Sequence, residues 1–269
     1  SVQTISIEVT EFFTFGKCFN FSGKLSSIAK DNFESAKLYL TDGNGFEKSY
    51  SLDGKIEEGN LHLTTTNQIN TGLILDELSS GNYVILVRLK MNNSIEPKYY
   101  SLSNHSEYGP IEYYTITNQG TNRKIKIDFK EKSYQGKEYA YLNLDIQNIE
   151  KKPEEVYDFV IDAGHGGKDV GEKSGTDTEE NITLLYAKQL KEKLENQGLK
   201  VKLTRDDLNT NSYTATNMYD DNGRISIACQ SKAKYMISFH INNGNKRFER
   251  IRNLFTLQIQ FRLCTKYGK

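Results

Sequence analysis

Two of the chain's four histidines stand directly after short apolar runs, in positions that suit a metal ligand. His165 lies in VIDAGHGGKDVG (residues 160–171) and His240 in YMISFHINN (residues 235–243). If the two runs are neighbouring parallel strands, both imidazoles arrive on the same rim of the sheet. Glu179, at the start of a stretch with helical spacing, can approach that rim from the adjoining loop. Two imidazoles and one carboxylate make the ligand set of a catalytic zinc, with a fourth position left for water. The glycines beside His165 let the backbone fold tightly there. Asp162, three residues before His165, reads as a supporting residue that orients a ligand imidazole or satisfies backbone amides. Arg205 and Arg224 read either as substrate-facing cations or as structural ion-pair partners. His105, in Ser103-Asn104-His105-Ser106, lacks any such context and reads as a surface turn.

These side chains need elements to hold them. Residues 159–163, 200–204 and 235–239 read as strands. Residues 179–196 read as a helix through Ile182, Leu185, Leu190 and Leu194, stopped by Gly198, and 224–233 as a second helix. Strand–helix alternation predicts an α/β, mostly parallel sheet over 159–269, with ligands at the strand carboxyl ends. The first half has another grammar. Period-2 alternation runs through 4–10, 36–39, 61–65, 83–89, 124–129 and 139–146, separated by turn signals such as Asp42-Gly43 and Asp53-Gly54. That pattern predicts an all-β, Ig-like sandwich over 1–149. The charged stretch 150–158, EKKPEEVYD, reads as the linker.

Composition narrows the function classes. Lys+Arg and Asp+Glu both total 35, so no whole-chain basic field would draw in nucleic acid or an anionic membrane. With 36% hydrophobic and 26% charged residues, the chain can build a modest globular core. No apolar run approaches the roughly 20 residues of a membrane span, so no integral membrane segment is expected. The chain opens at Ser1 without a charged-then-apolar leader, and a signal peptide is expected to be absent from it. Three cysteines are too few for a disulfide framework or a four-cysteine zinc site. The pairs Tyr99-Tyr100 and Tyr113-Tyr114 place one ring on each side of a sheet, which core packing explains without a glycan.

The ordered motifs of the second half resemble the zinc-dependent N-acetylmuramoyl-L-alanine amidases of bacterial cell-wall turnover, lysis and sporulation. The resembling residues are Asp162-Ala163-Gly164-His165-Gly166-Gly167, Glu179, and Ser238-Phe239-His240-Ile241-Asn242, with Leu203-Thr204-Arg205 and Asn222-Gly223-Arg224 between them. The resemblance runs from 157 to near 245. It implies Zn²⁺ on His165, Glu179 and His240, substrate contacts from Arg205 and Asn242, and peptidoglycan as substrate, cut between N-acetylmuramic acid and L-alanine. It also implies a secreted or cell-wall location, and the sandwich would be free to engage a protein partner. Counting back from Gly198 along the family's helix favours Glu179 over Glu180, which lies about 100° round the helix.

The family also uses a late glutamate as acid and base. Here the carboxylate side chain after His240 is Glu249, nine residues on and in a different context, so the catalytic base stays unassigned. The tail from Lys246 holds seven Lys/Arg against one acid and reads as a shortened or altered C terminus, or as an amphipathic helix through Phe248, Ile251, Leu254 and Phe255. Activity is accordingly expected to be low. The alternatives are an inactive wall- or partner-binding protein on an amidase fold, and another zinc peptidase.

Overall fold

The computed structural model describes residues 2–15, 17–26, 32–65, 71–208, 223–241 and 255–259. The chain divides into two compact units, Ser1–Glu150 and Lys151–Lys269.

The first unit is built of strands. In order they are β1 (Val2–Phe15), β2 (Cys18–Leu25), β3 (Phe33–Thr41), β4 (Glu47–Glu57), β5 (Asn60–Thr64) and β6 (Leu73–Ile74). Then follow β7 (Gly81–Met91), β8 (Lys98–Ser103), β9 (Ile111–Ile116), β10 (Asn122–Tyr134) and β11 (Lys137–Ile149). Period-2 burial marks them: Tyr83, Ile85, Val87 and Leu89 alternate along β7, all buried, as do Ile7 and Val9 on β1.

The sandwich expectation is overturned by one pairing. β3 bonds β4 on one edge and β7 on the other, from Phe33↔Met91 to Thr41↔Val84. That closes β3-β4-β5-β2-β1-β8-β7 into a seven-stranded barrel. Register shifts at Val9/Glu11 in β1 and Phe33/Ser35 in β3 supply irregularities of the kind that bend strands into closure. Alternation is the same in a sandwich and a barrel, so the pattern could not tell them apart. From the barrel a ribbon branches off. Gly81–Ile85 of β7 pairs β11, which continues to β10 and β9, while Val87–Leu89 pairs β8. Of the tyrosine pairs, Tyr113 is fully buried, while Tyr99 meets Tyr39 edge-on at 5.0 Å between ring centroids.

The second unit holds β12 (Phe159–Ala163), β13 (Lys173–Ser174), β14 (Asp177–Thr178), α1 (Glu179–Glu195), β15 (Val201–Leu203), α2 (Arg224–Gln230), β16 (Tyr235–Phe239) and β17 (Phe255–Ile259). Its main sheet has the order β15-β12-β16-β17. β12 runs parallel to β15 and β16, and β17 runs antiparallel to β16. Here too the fold expectation is corrected. Among the described residues the sheet is a small mixed one, the protein is mainly strand, and the α/β parallel sheet is not the architecture found. Residues 255–259, part of a tail with helical spacing, pair as a strand.

Packing explains why the three central elements hold still. Ile161 and Ala163 pack with Leu184 and Ala187 of α1, and Val160 packs with Ile225 and Ala228 of α2. α1 opens on Glu179 and Glu180, whose charges suit the positive end of a helix. It ends at Glu195 with Asn196 as its C-cap, after which Gly198 takes φ +80° and Leu199 donates back to the Leu194 carbonyl. Within the expected linker, Val156 is buried, Tyr157 N–H donates to Ser231 O, and Asp158 accepts from Lys200 N–H at 2.7 Å. Residues 156–158 therefore pack as part of the second unit.

Candidate metal centre

β12 and β16 lie side by side and parallel, so the residues just past their ends share a rim. His165 follows β12 with φ +60°, a left-handed conformation uncommon for a non-glycine residue. His240 follows β16 directly. Glu179, the first residue of α1, is only 2% exposed. Its Oε1 lies 3.0 Å from His165 Nε2 and 3.3 Å from His240 Nδ1, and the two imidazole nitrogens are 3.2 Å apart.

These three edges fit a tetrahedral ion. Donors about 2.0–2.1 Å from a metal sit about 3.3 Å from one another. His165 Nδ1 donates to Asp169 Oδ2 at 3.0 Å, so in the neutral ring Nε2 carries a lone pair. In that form the Nε2 lone pair faces a carboxylate oxygen 3.0 Å away, an arrangement that a proton on Nε2 or a bound cation would each relieve. The cradle is tight as well. A Cβ on Gly171, at φ +67°, would come within 2.7 Å of Glu179 Oε2 and 2.8 Å of His165 Cδ2. One on Gly164 would come within 2.5 Å of His240 Cε1. His240 is 44% exposed, which leaves one side of the triangle open to solvent.

The carboxylates are held ionised. Burial opposes charge on Glu179, but the amides of Ile241 (2.7 Å) and Glu172 (3.1 Å), followed by the two imidazoles, hold its carboxyl below the ordinary range. Burial likewise opposes charge on Asp169, and His165 and the Gly171 amide outweigh it. Asp169 is the residue missed by sequence reasoning. The signal was an acid four residues after His165 within one glycine loop. Gly166 and Asp169 bond to each other through their backbones, turning the acid back onto the ring.

Asp162 does something else. It is 2% exposed and accepts from Thr204 Oγ1 (2.7 Å), Ser238 Oγ (2.6 Å) and Arg224. Of the two roles expected of it, orienting a ligand imidazole or satisfying backbone amides, the first is taken by Asp169, and the partners of Asp162 are side chains. Arg205, 3% exposed, donates to the carbonyls of Ala163, Gly164, Glu180 and Asp207. A guanidinium so buried and so occupied faces the protein's own backbone. Asn242 and Glu249 lie outside the described residues, as do most of the tail's other residues. Glu180, next to Glu179, does not join the triangle.

The buried Asp162 carries a pH prediction. Burial raises its pKa, but Arg224, Ser238 and Thr204 together lower it below the ordinary 3.8. A depressed folded-state pKa contributes stability above the unfolded value and loses it as pH falls through the folded value. The melting temperature of the second unit is therefore expected to fall progressively below about pH 4, and less steeply in Asp162→Asn. Calorimetry across that range checks this, and equal slopes for both proteins would refute it.

Residues 159–251 match the family model described as N-acetylmuramoyl-L-alanine amidase. Curated relatives from Staphylococcus aureus, among them those of strains USA300 and COL, bear the name "Probable cell wall amidase LytH". They are 42% identical over 73 residues, which is 25% of this chain and 25% of each relative. The chain thus spans about a quarter of the length of these relatives. All three triangle residues fall inside the matched segment.

Proposed function

We propose that this protein, whose C-terminal part is of the N-acetylmuramoyl-L-alanine amidase family, is a zinc-dependent peptidoglycan hydrolase acting outside the cell or at the cell wall. The bond cut is the amide between N-acetylmuramic acid and L-alanine. The observation that carries this reading is the convergence of His165, Glu179 and His240 within the family-matched segment. Two imidazoles, one carboxylate and an open side suit zinc in a catalytic rather than a structural setting. Zinc bound there would supply Lewis-acid polarisation of the scissile carbonyl and activation of a water nucleophile.

The chain's own residues do the preparing. Asp169 holds a proton on His165 Nδ1, which leaves the Nε2 lone pair of the neutral ring to bind a metal. Glu179 is ionised and held by two backbone amides, so its position does not depend on a flexible side-chain partner. Transfer of a proton to the leaving amine asks for a further positioned carboxylate, and Glu249 is the one carboxylate side chain that follows His240 in sequence. Without such a group the rate is expected to fall about 10²- to 10⁴-fold below that of an amidase that has it.

Glu179 and Glu180 give a compact test. Glu179→Gln removes a charged donor and is expected to weaken zinc binding by at least about 10- to 100-fold, the range seen for lesser changes around a metal site. Glu180→Gln should leave it within twofold. Competition against a chromophoric chelator measures both, and the reverse order would show that the ligand is the neighbouring carboxylate.

A further inference from the structure

The buried guanidinium groups of Arg205 and Arg224 flank the His165 loop; Arg205 bonds two of the three segments that carry the donors, and Arg224 bonds one and is linked to a second through Asp162. Arg205 Nε donates to Ala163 O at 2.9 Å, and its Nη2 to Gly164 O at 3.0 Å and to Glu180 O at 2.8 Å. The same Nη2 lies 3.2 Å from Thr183 Oγ1, which itself donates to Gly164 O at 2.7 Å. Arg205 thus ties the His165 loop to the first turn of α1, which begins with Glu179. Arg224 Nη1 donates to Ala163 O and Nη2 to His165 O, each at 2.7 Å. Nη1 also pairs with Asp162, whose other carboxylate oxygen accepts from Ser238 Oγ at 2.6 Å, two residues before His240. Arg224 and Asp162 together tie the His165 loop to the end of β16.

We propose that Arg205 and Arg224 are positioning residues that set the size of the donor triangle, Arg205 its His165–Glu179 edge and Arg224, through Asp162, its His165–His240 edge. The inference rests on the metal reading above. Its physical ground is preorganisation. His165 is held at φ +60°, and three successive carbonyls, those of Ala163, Gly164 and His165, are each taken up by an arginine. A planar fork can hold two carbonyls at fixed separation, and a lysine ammonium is a single point that cannot. Neither arginine needs to touch metal or substrate to have this effect.

The test uses the full chain with Arg205→Lys and Arg224→Lys, which keep the charge and remove the fork. Ser238→Ala serves as a milder variant should either lysine protein fail to fold. Three readouts are taken at a temperature where melting curves show every protein native: Zn²⁺ affinity, the visible absorption of the Co²⁺-loaded protein, and coupling to Glu179→Gln. Both lysine variants are expected to lose about 10- to 100-fold in affinity and to show an altered Co²⁺ spectrum. The loss from Arg205→Lys should largely vanish in the Glu179→Gln background, and the loss from Arg224→Lys should persist there. Native variants with unchanged affinity and spectrum would overturn the inference, as would identical coupling of both arginines to Glu179. If the unsubstituted chain itself bound no zinc, the metal reading would fall first, and this inference with it.

Discussion

Alanine at His165 or at His240 is expected to take the purified chain from about one zinc per molecule to background. Each substitution leaves two donors on an open site, and a catalytic zinc is normally held by three protein ligands. The effect should be the same from either side of the triangle, because the two nitrogens sit 3.0 and 3.3 Å from one Glu179 oxygen. Loss of an imidazole should not unfold the unit. His165 is partly exposed and His240 more so, and neither belongs to the apolar clusters around β12. Elemental analysis after gel filtration, paired with circular dichroism, reads metal and fold separately. Full zinc retention in both variants would remove the metal centre from the account.

Asp162→Ala should have the largest effect on stability. It leaves the guanidinium of Arg224, 3% exposed, without its carboxylate, and removing one partner of a buried pair typically costs about 3–5 kcal/mol. Thr204 and Ser238 lose their acceptor as well. A cost of that size is a large fraction of a domain's whole stability. The prediction is a selective one: the transition of the second unit collapses while that of the barrel, which shares none of these bonds, keeps its midpoint. Chemical denaturation followed by hydrogen exchange in β12 and in β7 separates the two. A cost below about 1 kcal/mol would mean that the pair is solvated and the network is not what holds the rim.

Local pattern made part of this architecture legible. The apolar runs 159–163 and 235–239 give β12 and β16 with the same bounds, and helical spacing places α1, while the choice of Glu179 over Glu180 rested on the family resemblance. Closure of the barrel was not legible. It depends on β3 pairing with β7, strands more than forty residues apart, and alternation specifies a buried face without specifying a partner. The β17 segment carried two competing periods. Phe255, Leu257 and Ile259 alternate as in a strand, while Leu254 and Phe255 complete a helical spacing with Phe248 and Ile251. The partner of the His165 ring, Asp169, went unassigned for a related reason. Nearness in sequence to His165 suggested Asp162, but its contacts are with Thr204, Arg224 and Ser238, each brought in by a different element.

Cleavage of the muramoyl–L-alanine amide is the reaction proposed for the His165, Glu179 and His240 site. The direct measurement is product analysis of purified peptidoglycan incubated with the zinc-loaded full chain, alongside His165→Ala and an amidase of the same family as a rate standard. New L-alanine amino termini beside intact muramic acid are expected, and they should be absent from the His165→Ala digest. Cuts within the stem peptide, or the same products from His165→Ala, would contradict that assignment.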